Sequence, residues 1–176
     1  MTKNNLSRND IFAEIKNMIA STNNNVKVIN IVGGAGSGKT TFAHELIMFL
    51  GDACTLSTDD YVIGNREFRR KNLEGNSPLK KYNTTALNEN ISAIKNLKAN
   101  EFHLVPTYDD VTGEGVDARE YHKKVFPVKY IIVEGDFDFV KNPDLLIYFD
   151  VDDETRLHNR ITRDLLKRKR HRRKIY

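Results

Sequence analysis

Apolar residues fall into two alternating spacings along this chain. Over residues 7–20 they recur at helical intervals, with Ile11, Phe12, Ile15, Met18 and Ile19 on one face. Ser7 and Asp10 form a capping-box start to that helix, and the asparagines at 23–25 break it. Residues 26–32 then read as a strand, 33–38 as a loop and Lys39–Leu50 as a second helix. Ala53–Ser57 is short and apolar-leaning, which predicts a second strand. Residues 64–81 carry eight Lys, Arg or Glu side chains with no apolar period, and are expected to form a lid-like loop. Helical spacing returns over 85–98, where Leu87, Ile91, Ile94 and Leu97 share a face. A brief strand at 102–105 ends at Pro106, and 107–115 is rich in turn residues. Residues 130–133 and Leu145–Phe149 are continuous apolar runs, as in parallel strands covered on both faces. The last helix, 153–167, carries Leu157, Ile161 and Leu165 four residues apart. Strands alternating with helices predict an open α/β sheet with right-handed crossovers, whose ligands sit at the carboxyl ends of the strands.

The chemistry-bearing motifs fall at those ends. Residues 33–40 read GGAGSGKT, a match to G-x-x-x-x-G-K-[ST] between an apolar strand and an amphipathic helix. Gly33, Gly34, Ala35, Gly36, Ser37 and Gly38 can turn their backbone N–H groups around phosphate oxygens, and the helix that follows points its positive end at the same anion. Lys39 reaches the β- and γ-phosphates, Thr40 ligates Mg²⁺, and Thr41 follows in the first helical turn. The reading calls for a nucleoside triphosphate, ATP or GTP, with Mg²⁺.

The second strand runs into Ser57-Thr58-Asp59-Asp60-Tyr61. A carboxylate there faces the γ-phosphate and can take the proton of an acceptor hydroxyl. Asp59 is the first candidate, and Asp60 fits equally by position. The strand at 130–133 ends in Glu134-Gly135, where a Mg²⁺-holding acid is expected. Glu134 is the candidate, with Asp136 and Asp138 just beyond. On the last helix Arg156, Arg160 and Arg163 share one face at i, i+4, i+7, followed by Arg168 and Arg170. Such a cluster can clamp phosphate charge in a transition state, or it can be a solvated helix face.

Composition narrows the function classes. The 176 residues fit one domain. A single cysteine, Cys54, excludes an internal disulfide and, with five scattered histidines, offers no zinc site. Cys54 reads as a core residue. The formal charge of +4 is misleading, because residues 167–174 hold seven Lys or Arg; without them 21 basic residues face 24 acidic ones. A basic tail on an acidic body is not the footprint of a nucleic-acid-binding domain. Apolar runs such as Leu145–Phe149 are far below the ~20 residues of a membrane span. The N-terminus is polar, and a cytoplasmic location is expected. The expected organisation is an N-terminal helix and linker over 1–25, a P-loop domain over 26–166 and a basic tail over 167–176.

Taken together and in order, GGAGSGKTTF, STDDY, P-T-Y-D at residues 106–109, IIVEG and FDVDDETRLHNRITRD resemble the uridine kinase/phosphoribulokinase family of P-loop kinases. The resemblance runs from about residue 26 to 170. It implies a P-loop NTPase fold, three layers α/β/α with a mainly parallel sheet and an Arg-rich lid helix. It implies transfer of a γ-phosphate to a hydroxyl of a nucleoside or similar metabolite. Asp59 corresponds to the family's catalytic base, acting with Lys39 and Arg163, and Glu134, Thr40 and Asp59 correspond to its Mg²⁺ neighbourhood. Arg160, Arg163, Arg168 and Arg170 correspond to lid arginines over the phosphates, and Tyr61, Asn83, Tyr108, Arg160 and Arg163 to the acceptor side. Two positions depart from the nucleoside-kinase pattern. Asn83 stands where a ribose-binding Asp is usual, and Gly113 where a base-contacting His is usual. The acceptor could therefore be a nucleoside held differently, a sugar or a pantothenate-like metabolite. A nucleotide sensor without turnover is the non-enzyme alternative. The expected partners are a nucleoside triphosphate and a small hydroxylated acceptor, with no membrane or nucleic acid, and a homo-oligomer is allowed.

Overall fold

A computed structural model of the chain describes residues 7–73, 75, 77–109, 113–115 and 122–173. Four parallel strands form the central sheet: β1 (Lys27–Gly33), β2 (Ala53–Ser57), β5 (Tyr130–Gly135) and β6 (Leu145–Phe149), in the order β2-β5-β1-β6. β1 pairs with β5 from Lys27 opposite Tyr130 to Val32 opposite Gly135, and β5 pairs with β2 from Ala53 opposite Tyr130 to Ser57 opposite Glu134. That register brings the ends of β1, β2 and β5 to one level. The P-loop, Asp59 and Glu134 therefore meet although about a hundred residues separate them in sequence.

The alternation of β1 and β5 feeds two cores. Val28, Ile131 and Val133 face α4 (Thr84–Lys95) through Leu87, Ile91 and Ile94. Ile29, Ile31 and Ile132 face α1 (Arg8–Ala20) and α2 (Lys39–Leu50) through Phe12, Ile15, Phe42 and Leu46. Phe12 packs edge-on against Phe42 with ring centroids 5.1 Å apart. Full burial of such a side chain stabilises by about 1.5–3 kcal/mol. The capping box of α1 is present: Asp10 N–H donates to Ser7 Oγ, and Ser7 N–H donates to the Asp10 carboxylate. Helix α1 thus packs on the chain's own sheet, and the architecture is the expected α/β/α sandwich.

Three expectations change. The strand at 102–105 exists as β3 (His103–Pro106), but it does not join the main sheet. It pairs antiparallel with β4 (His122–Val125), a strand the sequence did not suggest because only Val125 of its four residues is buried. The region 64–81 is not simply loop: α3 (Arg66–Leu73) and a 3-10 turn (Pro78–Lys81) lie within it. Helix α3 buries none of its residues, so there was no apolar period to read. The last helix, α5 (Asp153–Arg173), runs through the basic segment to residue 173. Its regularly spaced Leu157, Ile161 and Leu165 are each more than half exposed, so this periodicity marks the helix without marking a core face. No helix among the described residues is long and apolar enough to cross a membrane.

Candidate active site

β1 ends at Gly33 and the chain turns through a loop whose Gly36 and Gly38 have φ of +87° and +91°. Side chains other than glycine rarely adopt that conformation. Gly38 is the N-cap of α2 and offers no side chain to its first turn, leaving the N–H groups of the loop and helix end directed at one spot. Lys39 is 7% exposed, and its Nζ lies 2.6 Å from Asp136 Oδ1 and 3.4 Å from the Gly34 carbonyl. The crevice in front of the loop has a volume of about 590 Å³. Its walls carry Lys39, Thr40, Asp59, Glu134, Asp136 and Arg163.

Glu134 is the hub of the crevice floor. Thr40 Oγ1 donates to its Oε2 at 3.1 Å, and Ser57 Oγ donates to its Oε1 at 2.8 Å. Ser57 also accepts from the Asp59 N–H at 3.4 Å, so one hydroxyl sets both Glu134 and the turn that carries Asp59. That turn (3-10, Thr58–Tyr61) presses against Gly135, where any Cβ would collide with Thr58.

The two candidate acids after β2 separate in space. Asp60 is committed: its Oδ2 accepts from Ser57 N–H at 3.2 Å and its Oδ1 from Tyr108 N–H at 2.8 Å. Asp59 faces the crevice. Burial among the surrounding atoms raises its pKa above the ordinary carboxylate value, the charges of Asp136 and Glu134 raise it further, and Lys39 opposes the shift. The three acids at and beyond the end of β5 separate as well. Glu134 meets Thr40, Asp136 meets Lys39, and Asp138 accepts from the buried Asn30 Nδ2 at 2.7 Å beneath the sheet end.

The start of α5 sits on the P-loop. The Arg156 guanidinium lies over Gly34, leaving no room for a Cβ there, and the stem of Arg160 packs on Gly36. Asn159 Nδ2 donates to the Gly36 carbonyl at 2.9 Å, and Asn159 and Arg163 both line the crevice. Arg156, expected with the phosphate arginines, is thus a loop-packing residue that also pairs with Asp153. The backbone of Arg168 and Arg170 belongs to α5, but their side chains lie outside the described residues.

On the acceptor side two expectations fail in their simple form. Tyr61 is 1% exposed and packs in the α4-side core, where its hydroxyl accepts from Asn90 Nδ2 at 3.1 Å. Asn83 spends its Oδ1 as the N-cap of α4, accepting the Ala86 N–H at 2.9 Å. Tyr108 is half-buried, its N–H held by Asp60, and it is not among the residues that line the crevice. The sequence reading missed Ser57, Asn159 and Tyr82. Tyr82 packs on Phe139 with ring centroids 5.1 Å apart and the rings tilted, and burial, then the charges of Asp59 and Asp136, push its hydroxyl up to about 12. Ser57 was visible as the first residue of STDDY; Asn159 and Tyr82 carry no local signal. Cys54 is partly buried against the core, and burial pushes its thiol up to about 11.

With that geometry in hand, comparison with known proteins is decisive. The family model described as "Phosphoribulokinase / Uridine kinase family" matches residues 28–176. The chain belongs to this family. It is a P-loop kinase, and the family implies a nucleoside triphosphate and a small acceptor. Among similar proteins, the uridine kinase of Borrelia duttonii (strain Ly) is 32% identical over 154 residues, covering 82% of this chain and 70% of that protein. The uridine kinase of Staphylococcus aureus (strain JH9) is 35% identical over 153 residues, covering 81% and 70%. A solved structure of a putative fructose transport system kinase from Silicibacter sp. TM1040 superposes with a TM-score of 0.66 at 18% identity, covering 91% of this chain and 82% of that one. A possible uridine kinase from Bacillus stearothermophilus gives 0.57 at 22%, covering 86% and 85%. These structural likenesses establish the fold.

Proposed function

We propose that the chain transfers the γ-phosphate of ATP or GTP to a hydroxyl of a small metabolite, with a nucleoside as the first acceptor to test. The observation that supports this most is the convergence of Lys39, Thr40, Glu134 and Asp59 on one crevice from three strand ends. The relatives named uridine kinases supply the nucleoside.

In this reading the loop N–H groups and Lys39 hold the β- and γ-phosphates. Lys39 exchanges Asp136 for phosphate oxygens when the nucleotide enters. Thr40 and Glu134 offer one hydroxyl and one carboxylate 3.1 Å apart. That donor set fits Mg²⁺, which takes one or two protein ligands and completes its shell with phosphates and water. Mg²⁺ when bound supplies charge neutralisation at the β- and γ-phosphates. Asp59 accepts the proton of the acceptor hydroxyl. The acceptor oxygen forms the new P–O bond, the bond from the γ-phosphorus to the β,γ-bridging oxygen breaks, and its electron pair leaves with the nucleoside diphosphate. Arg163, on the crevice wall, balances charge on the phosphoryl group in flight. The outer lid roles of Arg160 and Arg168 belong to this proposal as well.

A second reading keeps the donor half and replaces the nucleoside with another hydroxylated metabolite. It is favoured by the commitment of Asn83 to helix capping and by the absence of a side chain at Gly113. Nucleotide consumption measured against a panel of nucleosides, sugars and hydroxy acids tests both. Stimulation by an acceptor, lost in Lys39→Ala, supports a kinase. Tight nucleotide binding with no stimulation by any acceptor would replace it with the sensor reading.

A further inference from the structure

The exchange of Lys39 from Asp136 to phosphate oxygens leaves a carboxylate on the crevice wall that the transfer step does not use. Asp136 is the first residue after β5 and lines the crevice together with Asp59. Its side chain is 39% exposed, and its Oδ1 holds the Lys39 ammonium at 2.6 Å. Among the charged neighbours of Asp59, Asp136 acts on it most strongly, ahead of Glu134. The two carboxylates therefore face one space. Tyr82, from the segment before α4, is within electrostatic reach of the same pair.

The backbone around Asp136 is not free to follow the lysine. On one side Gly135 is pressed against Thr58, where a Cβ would collide. On the other, Asp138 accepts from Asn30 Nδ2 at 2.7 Å, and Asn30 is fully buried in β1. Further on, Asn88 of α4 donates to the Phe139 carbonyl at 2.9 Å and accepts the Lys141 N–H at 2.8 Å. Arg156, another cation within reach of Asp136, is already committed: its guanidinium packs on Gly34 and pairs with Asp153. Among the described residues, Lys39 is the hydrogen-bonding partner of the Asp136 side chain. A fixed, partly desolvated carboxylate is costly to leave unpaired. The ammonium it holds shows what satisfies it, an N–H or O–H donor.

We propose that Asp136 is a specificity residue of the acceptor site: its carboxylate takes a second hydrogen-bond donor of the acceptor, a hydroxyl or an ammonium, one or two carbons from the hydroxyl that faces Asp59. Asp136 thus changes partner in the course of the reaction, from Lys39 to the acceptor. The proposal rests on the kinase reading for the role of Asp59, and binding measured apart from turnover tests it separately.

The test uses two matched sets of probes: glycerol, 1,3-propanediol and 2-amino-1,3-propanediol, and uridine, 3′-deoxyuridine and 3′-amino-3′-deoxyuridine. Within each set a hydroxyl, a hydrogen or an ammonium stands one or two carbons from a primary hydroxyl. Nucleotide consumption is measured with each probe in the wild type, Asp136→Asn and Asp136→Ala. In parallel, calorimetric titration of the ADP-bound protein reads binding without turnover. In at least one set, the hydroxyl or ammonium probe should have a KM or Kd about tenfold or more below that of the hydrogen probe, the order of one hydrogen bond to a charged group. Asp136→Ala should erase that difference without weakening nucleotide binding. Asp136→Asn separates the two donors: its amide oxygen still accepts from a hydroxyl, whereas an ammonium loses its countercharge. A carboxylate that served only to hold Lys39 would alter nucleotide affinity and act alike on every probe of a set, and that result overturns the proposal. A donor preference that survives in Asp136→Ala overturns it as well, and so does failure of every probe to bind or react. Calorimetric binding that depends on Asp136, without turnover, upholds the site and removes the kinase reading. Turnover indifferent to the probe's second donor upholds the kinase and overturns the acceptor role of Asp136.

Discussion

The donor and acceptor halves of the crevice are built in different ways. The donor half stands on the ends of β1, β2 and β5, which are locked in register inside one parallel sheet. Its polar atoms are interlinked: Thr40 to Glu134, Glu134 to Ser57, Ser57 to Asp59, and Lys39 to Asp136. Its packing is so close that a Cβ at Gly36 would meet the Arg156 carbonyl and one at Gly135 would meet Thr58. In the proposed reading the acceptor half is α3, which buries nothing, a two-stranded ribbon outside the main sheet, and the turn of residues 107–109 and 113–115. Phosphate geometry is shared by every nucleoside triphosphate, so a rigid and locally encoded site serves it. Acceptors differ, and the elements that meet them are short, peripheral and held by few contacts.

The largest expected effect comes from the donor half. Lys39→Ala should lower phosphoryl transfer by about 10³-fold for every acceptor, since it removes a buried charge from the transition state. A loss confined to one acceptor in steady-state assays would break the division between the halves. Asp59→Asn should lower turnover by about 10²–10⁴-fold, as expected when a general base is removed, while equilibrium titration finds nucleotide affinity retained. Because burial and the charges of Asp136 and Glu134 raise the Asp59 pKa, the acid limb of kcat/KM should lie above the ordinary Asp value. Asp136→Asn should move that limb to lower pH. The sign for stability is opposite to that for activity. A raised folded-state pKa means that ionising Asp59 opposes folding once the pH rises above the ordinary value of 3.8 towards the raised one. Asp59→Asn should therefore unfold at a higher temperature than the wild type near neutral pH, with the difference vanishing in acid.

Glycine substitutions sharpen the comparison in structural terms. Gly135→Ala forces a methyl into Thr58 beneath the crevice floor and should cost about 1–3 kcal/mol in urea unfolding. Gly113→Ala meets only the movable side chain of Arg66 at φ +74° and should cost about 1 kcal/mol. Equal losses would mean that the acceptor turn is as rigid as the sheet end. The smallest effect is expected for Asn159→Ala, which removes one exposed hydrogen bond between α5 and Gly36. It should cost about 0.5 kcal/mol, with a modest rise in nucleotide KM.

The sequence by itself determined the donor half, because a P-loop is a local device. Residues 33–40 carry the glycines, the lysine and the threonine in one run, and the flanking strand and helix show in their apolar spacing. Position after a strand also narrowed the acids to Asp59 or Asp60, and to Glu134, Asp136 or Asp138. Only the tertiary structure divided those acids, by giving Asp60 to two backbone N–H groups, Asp136 to Lys39 and Asp138 to Asn30. It alone withdrew Tyr61 into the core and turned Asn83 into a helix cap. It alone placed Arg66 over Gly113, 47 residues away in the chain. The physical reason is range: backbone conformation and helix polarity are set within a few residues, whereas hydrogen-bond partners and charge neighbours are set by which distant segments the sheet register and the peripheral turns bring together.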